Sequence, residues 1–246
     1  MNPPSVLCFR QFGSWSRGDR DAISDRDVLA VVAGPLDAVA IEEVEREAEN
    51  LIGERVDVSI YSKAHLQELF KRGHLFAWHL WRESTPIGGE LPGLIEDIGP
   101  PSLNTDAAAE IRDLRSLFQY IVESPSEGAS VYDAGILYVV VRNVGTSATW
   151  FFGEKNLDFS RYSPWALEAL GGPEPPVARE DYQKLVLARK ASTGGTVPPS
   201  ISPPDLKRWK SATASWLPKV SALVESTNPS DSEFDTYLSQ IVLDEE

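Results

Sequence analysis

Hydrophobic and polar residues alternate in blocks along the first part of the chain. Between two of its short apolar runs, apolar residues recur at close to helical spacing opposite a glutamate-rich face, and Gly53 follows as a stop signal. Two further helical patterns follow the third run, the first with Ser62 as N-cap. Three runs have the length and bounding residues of β-strands: Ser5–Phe12, Asp27–Val32 and Arg55–Tyr61.

The remainder of the chain shows helical periodicity. The stretch Thr85–Asp106 is dense in glycine and proline, which predicts an irregular connection, and Pro218 is expected to kink or interrupt a long helix. The pattern therefore predicts an α+β fold, with a small mixed-sheet domain at residues 1–95 and an α-helical domain at residues 96–246. The later helices are predicted at Asp106–Glu123, Gly128–Val144, Thr146–Gly153, Glu180–Ala191, Asp205–Glu225 and Ser232–Leu243.

Charge and composition narrow the class of partner. A net charge of −14 over 246 residues opposes binding of a nucleic-acid backbone and favours a protein or a small molecule. Cys8 is the only cysteine, which excludes an internal disulfide and a cysteine-built zinc site. The first residues lack the pattern of a signal peptide, and no apolar run is long enough to span a bilayer. We therefore expect a cytoplasmic protein that makes no membrane contact.

Three carboxylates are expected to meet at one edge of the sheet. Asp25 and Asp27 lie two residues apart at the start of the second predicted strand. In the third, Val56 and Val58 occupy one face and Asp57 the other. If the two strands are neighbours, about 4.8 Å apart, the carboxylates converge and repel one another. A divalent cation relieves that repulsion, and an oxygen-only ligand set suits Mg²⁺ or Mn²⁺.

The loop upstream of these carboxylates has the features of a phosphate site. Gly13 allows a ligand to approach the backbone closely, and Ser14 begins a short turn with outward-facing N–H groups and a hydroxyl. Arg17 adds a positive charge, which either contacts phosphate or pairs with Asp19 or Asp21. A loop that holds phosphate beside metal-binding carboxylates is typical of phosphoryl-transfer chemistry.

The stretch "GSWSRGDRDAISDRDVLAVV" resembles the signature of the DNA polymerase β-like nucleotidyltransferase superfamily, most closely minimal nucleotidyltransferases and aminoglycoside-type adenylyltransferases. The resemblance implies a nucleotidyltransferase domain at residues 1–95 and a helical accessory domain at residues 96–246. Arg26 departs from the pattern, which usually has an apolar residue there, and it needs a partner or solvent on the opposite face. By the resemblance, the metal-binding and catalytic residues are Asp25, Asp27 and Asp57, and the nucleotide-binding residues are Gly13, Ser14, Arg17 and Ser24.

These observations predict an enzyme that transfers a nucleoside monophosphate from an NTP to an acceptor hydroxyl and releases pyrophosphate. ATP is the expected donor and Mg²⁺, or Mn²⁺, the expected cofactor. The acceptor stays open, and the acidic charge favours a protein or a small molecule over RNA. The alternative is a catalytically weak, nucleotidyltransferase-like antitoxin or regulatory partner protein. The acidic composition favours that alternative, whereas the complete set of carboxylates argues against it.

Overall fold

The computed structural model describes residues 5–21, 23–104, 107–123, 131–192 and 196–226. It divides into two compact units, Met1–Thr105 and Asp106–Glu246. The division falls later in the chain than the boundary expected after residue 95. The helix predicted at Ser232–Leu243 lies outside the described residues.

A mixed sheet of four strands forms the centre of the first unit. The strand order is β3-β2-β1-β4. β2 and β3 pair in parallel, whereas β1 pairs antiparallel with both of its neighbours. This confirms the predicted mixed sheet and the α+β class. The strands are β1 (Val6–Phe12), β2 (Asp27–Val32), β3 (Asp57–Ser62) and β4 (Thr85–Gly88).

Helices cover both faces of this sheet because β2 is apolar on both of its sides. Val28 and Ala30 belong to a buried cluster with Val44 of α2. Leu29 and Val31 belong to a second cluster, which contains residues of α3, α4 and α5. The helices of the unit are α1 (Ser14–Arg17), α2 (Ala38–Ile52), α3 (Lys63–Lys71), α4 (Leu75–Glu83) and α5 (Leu94–Ile98).

The predicted irregular connection at Thr85–Asp106 is wrong in part, because it contains β4 and α5. β4 is a four-residue edge strand, and Pro86 lies opposite Arg10 in its pairing with β1. Proline is tolerated in a sheet at such an edge, where its missing N–H is not needed. Pairing with β1, rather than local propensity, makes this segment a strand.

The second unit is helical. The helices predicted at Gly128–Val144 and Thr146–Gly153 are one helix followed by a 3₁₀ turn at Trp150–Phe152. Gly145 lies inside that helix, where an added Cβ would be 2.7 Å from the backbone nitrogen of Pro164. The glycine at position 145 therefore allows close packing and does not end a helix. The helices are α6 (Ala107–Glu123), α7 (Val131–Thr149), α8 (Ser163–Ala169), α9 (Arg179–Ser192) and α10 (Pro203–Ser226).

Two further details differ from the sequence-based expectation. α8 was not predicted, and α10 continues through Pro218 without interruption. Among the helices of the described residues, none is both long enough and apolar enough to cross a membrane.

Candidate active site

Two of the three predicted carboxylates are cross-strand neighbours. Asp27 of β2 is in register with Asp57 of β3 on one side and with Phe12 of β1 on the other. Residues that are directly opposite in neighbouring strands project their side chains from the same face of the sheet. The N–H of Asp57 donates to the carbonyl of Arg26 at 2.9 Å, which fixes the start of this pairing. The structure therefore brings Asp27 and Asp57 together.

Asp25 occupies a different setting. It is exposed and lies in the loop before β2, so strand alternation does not determine which way its side chain points. Among the described residues, no group of three or more His, Cys, Asp or Glu side chains is gathered closely enough to hold a metal ion by itself.

Gly13 connects β1 to the loop and lies directly against Asp27. Its φ is +73° and its ψ is −151°, a combination that is essentially restricted to glycine. A Cβ built on Gly13 would lie 2.4 Å from Oδ2 of Asp27. The carboxylate therefore occupies the space that any other residue at position 13 would need.

The loop continues as the single helical turn α1. The N–H of Arg17 donates to the carbonyl of Gly13, and the N–H of Gly18 donates to that of Ser14, both at 3.0 Å. Gly18 ends the turn in the left-handed conformation, with φ of +78°. Ser16 holds the turn on the sheet, because its hydroxyl donates to the carbonyl of Gln11 at 3.1 Å. Ser14 thus begins the turn next to Gly13, as predicted.

Arg17 is engaged within the protein. Its guanidinium contacts Glu83 at 2.6 Å and Asp19 at 3.2 Å. Burial lowers the pKa of Arg17, but Glu83 and Asp19 outweigh that effect and raise it. Burial raises the pKa of Glu83, but His79 and Arg17 outweigh that effect and lower it. The ion pair expected for Arg17 is present, with Asp19 as one partner and Glu83 as a partner that the sequence did not indicate.

Ser24 closes the loop that leads into β2. Its hydroxyl donates to Oδ1 of Asp21 at 3.0 Å, and the N–H of Asp21 donates to the Ser24 oxygen at 2.9 Å. The N–H of Ser24 also donates to the Asp21 carbonyl at 3.1 Å. Ser24 therefore shapes the loop in this structure.

Arg26 has the partners that its unusual position requires. Its Nε donates to Oε1 of Gln11 at 3.0 Å, and its guanidinium pairs with Glu54 at 2.6 Å. The same guanidinium lies 4.2 Å from the ring centre of Trp15, and that of Arg20 lies 4.1 Å from it. Sequence reasoning did not predict this stack, for which the only available signal was a tryptophan in a loop rich in arginine.

Comparisons with known proteins give fold neighbours of low similarity. No family model matches the sequence, and no curated protein matches it. The chain is similar to a crystal structure of spectinomycin adenyltransferase AAD(9) from Enterococcus faecialis with ATP and spectinomycin, at 15% identity and a TM-score of 0.49, over 87% of this chain and 92% of that one. It is also similar to a toxin–antitoxin structure with AMP-PNP, at 17% identity and a TM-score of 0.27, over 50% of this chain and 87% of that one.

A mutant of the toxin–antitoxin MntA–HpeT gives a similar result, with 16% identity and a TM-score of 0.26, over 50% of this chain and 87% of that one. Because each TM-score is below 0.5, the function of the chain has to be argued from its own residues.

Proposed function

We propose that the chain is a divalent-metal-dependent nucleotidyltransferase that moves AMP from ATP to an acceptor hydroxyl and releases pyrophosphate. One observation carries the proposal. Asp27 and Asp57 are in register at a strand end, and the backbone of Gly13 lies directly against the carboxylate of Asp27. A strand end is rigid and open, so it can present charge to a ligand while the sheet behind it stays buried.

The residues of this edge fit a hard divalent cation. The available donors are carboxylate oxygens, which Mg²⁺ and Mn²⁺ prefer. Asp27 and Asp57 would hold the ion, and Asp25, in the adjoining loop, is the third ligand that the sequence motif predicts. When bound, Mg²⁺ neutralises phosphate charge and acts as a Lewis acid on the transferred group. A site with so few protein ligands suits a cation that arrives with, and stays bound to, a triphosphate.

The residues of the chain itself bind the triphosphate and accept the proton. Gly13 allows the triphosphate to approach the backbone, and the Ser14 hydroxyl donates to a phosphate oxygen. Asp57 accepts the proton of the acceptor hydroxyl as that oxygen forms a bond to the α-phosphorus. The bond between the α-phosphorus and the oxygen that bridges it to the β-phosphorus breaks, and pyrophosphate leaves with that electron pair.

Labelled ATP tests the proposal. The protein is incubated with Mg²⁺, a cell lysate and ATP labelled on either the α- or the γ-phosphate. We expect label from the α-phosphate, and none from the γ-phosphate, in a protein or small-molecule fraction. Asp27→Asn should lower transfer by about 100-fold or more, since it removes a direct metal ligand. The matched control Glu47→Gln changes an exposed charge on α2 and should transfer like the wild type.

Two results would count against the proposal. Unchanged transfer by Asp27→Asn would show that the assigned site is wrong. Magnesium-dependent ATP binding without transfer to any fraction would favour the regulatory or antitoxin alternative.

A further inference from the structure

Three arginines lie in or near the α1 turn, and carboxylates neutralise the charge of two of them. Arg17 pairs with Asp19 and Glu83, and Arg26 pairs with Glu54. Arg20 is exposed, and within the described part of the chain it forms no ion pair. The positive charge of Arg20 is therefore the one in this loop that is not already compensated by a neighbouring acid.

Arg20 is nevertheless held in place. Its guanidinium lies 4.1 Å from the ring centre of Trp15, and such cation–π contacts orient a guanidinium without neutralising its charge. Trp15 follows Ser14 directly in the α1 turn, so the stack places Arg20 beside the proposed phosphate loop. Arg26 contacts the same indole at 4.2 Å and is itself bonded to Gln11 and Glu54, which braces the ring.

We infer that Arg20 contacts the triphosphate of the nucleotide donor and that Trp15 is the residue that positions it. The inference rests on the proposed function and deepens it by naming a phosphate-binding side chain that the sequence motif does not indicate. A guanidinium offers five N–H donors in a planar fork that matches phosphate oxygens in a bidentate manner. Arg17 and Arg26 have directed donors to carboxylates, whereas Arg20 keeps its donors available.

The test measures binding and needs no acceptor. Isothermal titration of the full-length protein with a non-hydrolysable ATP analogue and Mg²⁺ gives the affinity for the triphosphate, and titration with adenosine gives the affinity for the nucleoside alone. We expect Arg20→Ala to weaken analogue binding by about 10- to 100-fold and to leave adenosine binding unchanged. Arg20→Lys should recover only part of the loss, because an ammonium provides neither the planar fork nor the same stack.

A matched control separates this effect from the general loss of a positive charge. Arg46→Ala removes an exposed arginine from α2, which covers the other face of the sheet from Asp27. This variant should bind the analogue within about twofold of the wild type, because charges more than about 10 Å apart are screened at 0.1 M salt.

The role of Trp15 is tested by a double-mutant cycle. Trp15→Phe keeps an aromatic face and should bind the analogue nearly as well as the wild type, whereas Trp15→Leu should weaken binding as Arg20→Ala does. If Trp15 acts through Arg20, the double variant Trp15→Leu/Arg20→Ala binds no more weakly than Arg20→Ala alone. Additive losses would show that Trp15 acts independently of Arg20.

The outcomes separate this inference from the proposed function. A wild-type protein that binds no triphosphate overturns both. A wild type that binds the analogue and an Arg20→Ala variant that binds it equally well overturn only the role of Arg20. Equal losses for the analogue and for adenosine would show that Arg20 maintains the shape of the loop, and that result also overturns a phosphate contact.

Discussion

At the scale of single residues, two glycines in the same loop have similar backbone conformations but different surroundings. Gly13 and Gly18 both have φ near +75°, at +73° and +78°. A Cβ on Gly13 would lie 2.4 Å from Oδ2 of Asp27, whereas a Cβ on Gly18 would meet nothing within 4 Å. An alanine at either position is strained, but only an alanine at position 13 displaces the carboxylate.

We therefore expect Gly13→Ala and Gly18→Ala to have different effects. Gly18→Ala should lower the free energy of unfolding by about 1–2 kcal/mol, the cost of a left-handed conformation, and should retain nucleotide binding. Gly13→Ala should be destabilised further and should lose magnesium-dependent nucleotide binding, because the carboxylate of Asp27 has to move. Urea unfolding and calorimetric titration measure the two effects. Equal nucleotide affinities in the two variants would contradict a need for close approach at Gly13.

The charged residues of the loop show why the contacts of single side chains are hard to predict from sequence. Ser62 as the N-cap of α3 and Gly53 as the end of α2 are local features, and the structure confirms both. The partner of Arg17 is not local, because Glu83 lies 66 positions along the chain. Only the folded sheet brings the end of α4 next to the α1 turn.

At the scale of elements, one buried arginine links three segments. The side chain of Arg10, in β1, is only 2% exposed. It donates to the carbonyls of Ser84 and Pro92 at 3.0 Å and pairs with both carboxylate oxygens of Glu96, at 2.7 and 2.8 Å. These bonds hold the end of α4, the following loop and α5 against the sheet. They explain why a segment dense in glycine and proline has a defined structure.

We expect Arg10→Met to lower the free energy of unfolding by about 2–4 kcal/mol, because it removes the donor of two partly buried carbonyls and the ion-pair partner of Glu96. Glu96→Gln should cost about 1 kcal/mol or less, since Glu96 is 55% exposed and its charge stays largely solvated. Urea unfolding at pH 7 measures both. A stability of Arg10→Met equal to that of the wild type would show that this network does not hold the segment.

The same pair predicts a dependence on pH. Burial raises the pKa of Glu96, but its hydrogen bonds, including those from Arg10, outweigh burial and lower the pKa below the usual value of 4.5. A carboxyl with a lowered folded-state pKa stabilises the fold above its unfolded pKa and loses that contribution as the pH falls through the folded value. The wild type should therefore lose more stability than Glu96→Gln between about pH 5 and about pH 3.

At the scale of the whole molecule, the net charge bears on which class of acceptor the chain can use. All of the proposed metal- and nucleotide-binding residues lie in the first compact unit, Met1–Thr105. The net charge of the chain is −14, so its long-range field opposes a polyanion even though individual arginines lie in the loop. A small or protein acceptor is easier to reconcile with this charge than an RNA is.

We therefore expect no sequence-independent RNA binding with a dissociation constant below about 100 μM at about 0.15 M salt. Gel-shift measurements with single-stranded and duplex RNA, repeated at about 0.05 M salt, test this expectation. Binding whose affinity falls steeply as salt rises would reveal a local basic surface and would reopen RNA as an acceptor.

The sequence by itself determined the type and order of most elements, because strand and helix periodicity and capping residues act over a few neighbouring positions. It also indicated that Asp27 and Asp57 would meet if the second and third strands were neighbours, and the structure pairs those strands. The tertiary structure alone decided that β4 and α5 form, that Arg17 pairs with Glu83 and that Trp15 stacks with Arg20. β4 and the Arg17–Glu83 pair depend on residues brought together only when the sheet assembles, and no local pattern encodes such contacts. The Trp15–Arg20 stack joins residues five positions apart, and it depends on the conformation of the loop.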